Sequence, residues 1–501
     1  MKRMKAKADR LRVTRTQHRF LPDPQRVILR LLLPGEEGFV DGQSRLRLVL
    51  ERILALPEEE IPAAWEEVRA AFSSRHRNLE SVLEHHFRLV SRHLENPEPL
   101  SPERERLVGA YFTHEYSIEG ASLCNPSLVP AQDQSGLPQG ALRFIMSLRA
   151  VGEGHISSIE FRSGVIEADG GIVFDSTSPF GFTGQRMPNP SYQKEVFESK
   201  LAEVGHDNEV SQWVLDRLPD RFGMEELERA IASSRTQRIP VAMRRATIMA
   251  IHWLAASNYD VAFQPESSIC ERVIFPDSPN ESHGMEDARF VRFVEDDGSV
   301  SYYATYTAYD GHDILSQLIE TRDFLHFQVR TLNGACVQHK GMALFPRRID
   351  GKFAMLSRHD GESLHYMTSD NIRFWNQADE LPILHHDWEF VQIGNCGSPI
   401  ETEAGWLVLT HGVGPMRRYS IGAILLDLED PRRLIGQLAE PLLSPAPDER
   451  EGYVPNVVYT CGGIAHDGQL ILPYGFSDFG VAIATTPLDD LISRLRTRSA
   501  G

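Results

Sequence analysis

The chain has 501 residues, 41% apolar and 24% charged, with no low-complexity tract, which is the make-up of an ordinary soluble globular protein. Its 70 acidic and 52 basic residues leave a formal charge of −18, which speaks against nucleic acid or an anionic membrane as the main partner. Five cysteines, Cys124, Cys270, Cys336, Cys396 and Cys461, are scattered, odd in number and free of CxxC spacing, so they read as buried thiols of a reducing compartment. Residues 1–7 are basic but no apolar segment follows them, and the apolar run over 27–33 is short and broken by Arg30. No membrane span is expected, and the expected location is the cytoplasm.

Over residues 44–94 apolar side chains recur at helical spacing: Leu46, Leu50, Ile53 and Leu54, then Trp65, Val68 and Phe72, then Leu79, Leu83, Phe87 and Val90. Pro57, Pro62 and Pro97 punctuate the segments, so residues 1–110 are expected to form an N-terminal helical region. From Tyr111 the periodicity turns to alternation, with strands over 142–149 and 156–161 around Gly152-Glu153-Gly154-His155. Residues 194–257 are helical again, through Val210, Trp213, Leu218, Met249, Ile251 and Leu254. Strands then resume and repeat one strand–loop–strand grammar over 143–161, 301–321, 351–370, 405–427 and 468–489. A period of about 50–60 residues, the helical stretch aside, predicts a mainly β fold over 111–501: a five-bladed β-propeller with a helical insertion after the first blade. The polar residues that end the first strand of each unit, Arg149, Thr307, Arg358, His411 and Tyr474, are expected to converge on one central pocket.

The stretch that carries chemistry is Ser282-His283-Gly284-Met285-Glu286-Asp287-Ala288-Arg289, two adjacent carboxylates and an arginine entering a strand from a Pro/Asn/Ser loop. Strand alternation predicts Asp287 and Arg289 on one face and Glu286 on the other. Taken alone, such a segment reads by default as a surface loop with a local ion pair.

Followed by the strand from Tyr302, Gly284-Met285-Glu286-Asp287-Ala288-Arg289 resembles the Gly-x-Glu-Asp-x-Arg segment of glycoside hydrolase family 130, which holds β-mannoside phosphorylases and β-mannosidases on a five-bladed propeller. Further segments agree in order: Ala343-Leu344-Phe345-Pro346, Gly405-Trp406-Leu407 through His411-Gly412-Val413, Gly422-Ala423-Ile424-Leu425-Leu426-Asp427 with Asp430-Pro431, and Val454-Pro455-Asn456-Val457-Val458. Asn125-Pro126-Ser127 and Arg149 fit the family's first blade. The resemblance implies an inverting reaction with Asp287 as the general acid, passing its proton through a sugar hydroxyl. It implies that Asn125, Arg149 and Asp478 hold the sugar, that Glu286 and Arg289 support it, and that Lys340, Arg358 and His411 form the phosphate site. As an acid Asp287 must hold a proton, so burial or a neighbouring negative charge is expected to raise its pKa against the pull of Arg289.

One departure bears on the nucleophile. In Ser398-Pro399-Ile400-Glu401-Thr402 the family's phosphorylases usually carry a lysine where this chain has Glu401. A carboxylate there repels phosphate and suits the activation of water. Phosphorolysis of a β-mannoside to mannose 1-phosphate is the leading expectation, and inverting hydrolysis with Glu401 as base is the alternative. A non-catalytic sugar-binding propeller is the reading from a different class. The histidines show no HxxH or HExxH pairing, so no metal is expected, nor any cofactor besides phosphate as co-substrate. The expected partner is an oligosaccharide, neither nucleic acid nor membrane, and the helical regions are the candidate contacts of a homo-oligomer.

Overall fold

The computed structural model describes residues 11–34, 39–40, 43–93, 99–187, 191–234 and 239–496. Residues 1–7, Leu94 and Pro97, which figure in the sequence reading, lie outside the described residues. The chain divides into two compact units. The smaller is Asp23–Gly120 with Ser178–Phe182, and the larger holds Met1–Pro22, Ala121–Thr177 and Thr183–Gly501.

In the smaller unit the apolar stripes seen in the sequence become α1 (Arg45–Leu54), α2 (Ile61–Phe72), α3 (Leu79–Val90) and α4 (Pro102–Tyr111). Leu79, Leu83, Phe87 and Val90 form the buried stripe of α3. There α4 comes so close that a Cβ on Gly109 would lie 2.1 Å from the Leu83 carbonyl oxygen. The expected helical region also contains a strand, Val27–Leu31, which pairs antiparallel with Thr113–Ser117 just beyond it.

The larger unit is mainly β. Its first strand, β1 (Thr14–Phe20), precedes the segment that forms the smaller unit. Five antiparallel arrays then follow in chain order. The first is β2 (Ser122–Pro130), β3 (Leu142–Val151), β4 (Ser157–Ile166) and β5 (Ile172–Phe174). The second is β6 (Gly284–Val294), β7 (Val300–Tyr309), β8 (Ile314–Thr321) and β9 (His326–Thr331). A parallel bridge between Gly284 and Ser157 joins these two into one larger sheet. The third is β10 (Ala343–Leu344), β11 (Phe353–Ser357), β12 (His365–Ser369) and β13 (Ala378–Glu380). The fourth is β14 (Gln392–Asn395), β15 (Gly405–Gly414), β16 (Arg418–Leu426) and β17 (Leu434–Gln437). The fifth is β18 (Val458–Tyr459), β19 (Gln469–Phe476) and β20 (Gly480–Pro487), completed by β1, whose Thr14 and Phe20 pair with Thr485 and Val481.

These strands are apolar on both faces because both faces are covered. On β15, Trp406 and Val408 join Phe345 and Leu356 of the third array, while Leu407 and Leu409 join Leu470 and Leu472 of the fifth. The same sharing links first to second through Phe161 and Phe290, and second to third through Tyr303 and Met355. It also returns from fifth to first through Ile471 and Met146. Each fully buried large side chain in these seams contributes about 1.5–3 kcal/mol.

The segment between β5 and β6 carries α5 (Lys194–Glu203), α6 (Glu209–Leu215), α7 (Met224–Ser233) and α8 (Val241–Ala256), packed around Phe197, Val214, Leu227, Ile251 and Leu254. Among the described residues, no helix is long and apolar enough to cross a membrane.

Candidate active site

The strand openings that face the site are not regular. Between Glu286 and Arg289 the β6–β7 register slips, with Asp287 and Ala288 of β6 set against the single residue Tyr306 of β7, and Asp287 sits in the slip at φ 56°. The same irregularity occurs on β2 between Cys124 and Ser127, with Asn125 at φ 48°. Asp478, in the β19–β20 turn, is left-handed too, at φ 45°. Asn and Asp are the side chains that best tolerate this backbone, and such bulges re-aim a residue out of the pleat. The expectation that Glu286 turns away from Asp287 and Arg289 therefore fails: alternation holds only without a bulge, and all three side chains line one cavity. The loop before Gly284 is anchored by buried Glu281, which accepts hydrogen bonds from Tyr259 Oη at 3.0 Å and Ser278 Oγ at 2.8 Å, and is met by Tyr306.

The cavity, of about 290 Å³, brings together Asn125, Arg149, Glu286, Asp287, Arg289, Lys340, Arg358, His411 and Asp478, nine of the ten residues singled out in the sequence. Arg149 Nη2 and Lys340 Nζ hold the two oxygens of Glu286, at 2.8 and 2.6 Å. Asn125 Nδ2 donates to Asp287 Oδ1 at 2.7 Å, and Arg289 lies 3.3 Å from Asp287 Oδ2. Arg289, 2% exposed, is held in turn by the Cys396 carbonyl at 2.7 Å and Tyr459 Oη at 2.8 Å. Size does not pick this cavity out, since a cleft of about 610 Å³ at Arg15, Arg418, Glu440 and Arg494 is larger. What distinguishes it is three carboxylates converging among five permanent cations, Arg149, Arg289, Lys340, Arg358 and Arg417.

The charge states differ from expectation. Burial pushes the Asp287 carboxyl up, but Arg289, Arg149 and Lys340 together outweigh it and hold the group below the usual carboxylate range. The expected raised pKa is absent because the cations are more numerous than Arg289 alone. Asp478 is the carboxyl that moves up, to about 6, through burial and the charges of Asp287 and Glu286, against Arg149 and Arg417. His411 drops to about 3 through burial and the nearby Arg358 and Arg289, so it enters the site as a neutral donor or acceptor and not as a cation.

Glu401 is the residue the structure leaves out. It lies on the short strand Ile400–Thr402, which pairs with β15, and its carboxylate is bound by Arg347 Nη2 at 2.8 Å with 42% of the side chain exposed. Strand pairing turns it to the surface, so it is not placed to act as a base for water in the cavity. Of the five strand-end residues expected to converge, Arg149, Arg358 and His411 do. Thr307 is buried opposite Glu286 in the β6–β7 ladder, and Tyr474 donates to Glu449 Oε1 at 2.6 Å. Sequence reasoning missed Gln392, Arg417, Tyr419 and Tyr459, which also line the cavity. Only the position of Arg417, in a turn that closes a strand pair as Asp478 does, offered a signal.

Comparison with known proteins gives concordant matches. The family model described as beta-1,4-mannooligosaccharide phosphorylase, of glycoside hydrolase family 130, matches residues 253–497. That range includes the stretch around Asp287 and omits Asn125 and Arg149. The 1,2-beta-oligomannan phosphorylase of Thermoanaerobacter sp. (strain X514) is 32% identical over 228 residues, 44% of this chain and 73% of that protein. The beta-1,2-mannobiose phosphorylase of Listeria innocua serovar 6a is 28% identical over 233 residues, 45% of this chain and 64% of that protein. Among solved structures, beta-1,2-mannobiose phosphorylase from Listeria innocua in complex with beta-1,2-mannobiose aligns at a TM-score of 0.43 and 19% identity, over 76% of this chain and 94% of that one.

Proposed function

The chain belongs to glycoside hydrolase family 130, and from that membership we propose that it cleaves β-mannosidic linkages of oligosaccharides by phosphorolysis, with inversion, to give mannose 1-phosphate. The observation that carries this reading is the charge of the cavity. Five cations face three carboxylates, an excess of two positive charges that matches one phosphate dianion. Hydrolysis through Glu401 loses its base, since that carboxylate is engaged by Arg347 at the surface.

In the proposed reaction a phosphate oxygen bonds to the anomeric carbon from the α face as the β-glycosidic bond breaks. The departing oxygen takes the proton that Asp287 supplies through a sugar hydroxyl. Asn125, Arg149 and Asp478 hold the mannosyl unit, Glu286 and Arg289 fix the acid's surroundings, and Lys340, Arg358 and neutral His411 receive phosphate. No cofactor besides phosphate enters this scheme. The five arrays are the blades of a five-bladed propeller, a reading supported by the seams that run from each to the next and back to the first. Five buried free thiols fit a reducing, cytoplasmic setting. The helical segments are the candidate contacts between copies.

The test is incubation with β-1,2- and β-1,4-mannobiose, without phosphate and then with excess. Mannose 1-phosphate is expected only when phosphate is present. Arg358→Ala should raise KM for phosphate far more than for sugar, because a charge-assisted hydrogen bond contributes about 1.5–3 kcal/mol. Free mannose at the same rate under both conditions overturns the proposal.

A further inference from the structure

Gln392 opens β14, opposite Val413 of β15, and its half-buried side chain lines the cavity. With its amide oxygen turned towards Arg358 and His411, it accepts from Arg358 Nη2 at 3.3 Å, from Arg358 Nη1, and from His411 Nε2 at 3.2 Å. Two residues along, Gly394 leaves the space this arrangement needs: a Cβ there would lie 2.6 Å from His411 Cε1 and 3.4 Å from Arg358 Nη1.

The partners of the neighbouring cations show why an amide stands here. Arg149 and Lys340 share the carboxylate of Glu286, and Arg289 faces Asp287. Arg358 is met by a neutral amide, which orients the guanidinium without cancelling its charge. The same oxygen requires the proton on His411 Nε2, and so fixes the tautomer of a ring that stays neutral.

We propose that Gln392 is the positioning residue of the phosphate site: it aligns Arg358 as a donor and fixes the neutral ring of His411 beside it, while leaving the charge of Arg358 free for a phosphate dianion. The proposal rests on the phosphorolytic reading above and adds a residue that the sequence pattern did not single out. A carboxylate at this place would pair with Arg358 and compete with phosphate. An apolar side chain of the same length would release both side chains without adding charge.

The experiment compares wild type, Gln392→Glu and Gln392→Met by calorimetric binding of inorganic phosphate and of mannobiose, and by KM for each. For Gln392→Glu phosphate affinity is expected to fall at least about thirtyfold, and for Gln392→Met about tenfold, with sugar affinity within about twofold of wild type. A purely structural role would instead lower melting temperature and turnover without separating phosphate from sugar. If wild-type turnover is independent of phosphate, the phosphorolytic reading fails. If wild type depends on phosphate and folded Gln392→Glu binds it with unchanged affinity, the assignment of Gln392 alone fails. Should Gln392→Glu not fold, the same split in Gln392→Met decides: unchanged phosphate affinity in that variant overturns the assignment.

Discussion

The cations of the cavity hold Asp287 ionised, yet the reaction asks it to carry a proton. The same charges that lower it suggest how the proton arrives. A bound dianion cancels the excess of two positive charges in the lining. At about 5–6 Å and an effective dielectric of about 20, each added negative charge changes the energy of the neighbouring carboxylate by about 3 kcal/mol, roughly a hundredfold in proton affinity. Anion binding is therefore expected to draw a proton into the site, and affinity should tighten as pH falls. Sulfate is the probe of choice, because near neutrality it has no proton of its own to exchange. Calorimetry in cacodylate and in imidazole separates binding heat from buffer ionisation and so counts protons taken up. Wild type should take up a substantial fraction of one proton near pH 6.5. Asp287→Asn should keep only the share of Asp478, whose carboxyl then loses the upward push of the Asp287 charge. Binding heat that does not depend on the buffer, or equal uptake with and without Asp287, would falsify the coupling.

Other expectations follow from the same geometry. Asp287→Asn should lower turnover about a hundredfold or more with the fold intact by circular dichroism, and near-normal turnover excludes it as the acid. Glu401→Gln breaks only an exposed pair with Arg347, so stability should change by less than about 1 kcal/mol and phosphorolysis hardly at all; loss of activity in a kinetic assay would reinstate this residue in the chemistry. The carboxyl of Asp478 is raised to about 6, so the folded state binds its proton more tightly than the unfolded one, and its contribution to stability is lost as pH rises from about 4 to 6. Asp478→Asn should accordingly melt higher than wild type at pH 7 but not at pH 4. His411, lowered to about 3, acts in the opposite direction: below pH 6.5 the unfolded chain gains a proton that the folded one refuses. Wild type should thus lose stability relative to His411→Gln as pH falls from 6.5 towards 4, as read by thermal melts.

Much of this site was legible because its residues sit in local patterns. Gly284 to Arg289 carry their chemistry in consecutive positions, and Arg149, Arg358 and His411 each close an apolar strand whose period is visible. What was not legible depends on distant geometry. The bulge at Asp287 is a mismatch between β6 and β7 that neither strand shows alone. Glu401 looks like a candidate base in the chain order, but its direction is set by pairing with β15 and by Arg347, 54 positions away. Gln392 lies between Phe390-Val391 and Ile393-Gly394 without a motif, and matters only because His411 lies on the paired strand and Arg358 arrives from the third array. The charge state of Asp287 likewise depends on Arg149 and Lys340 from separate stretches, which local reading cannot sum.

The pairing of β1 with β20 has a consequence in time. Thr14 meets Thr485 and Phe20 meets Val481, so one of the first strands made waits for the last. At about 5–20 residues per second of synthesis, that wait is on the order of 20–90 s. Through this interval a seven-residue strand with unsatisfied backbone groups has no native partner, and the seam between the fifth and first arrays cannot close. The earlier arrays can pair as they emerge, but the larger unit is completed only after β20 has been made. Its vulnerable period, to proteases or to a neighbouring nascent chain, is its own birth.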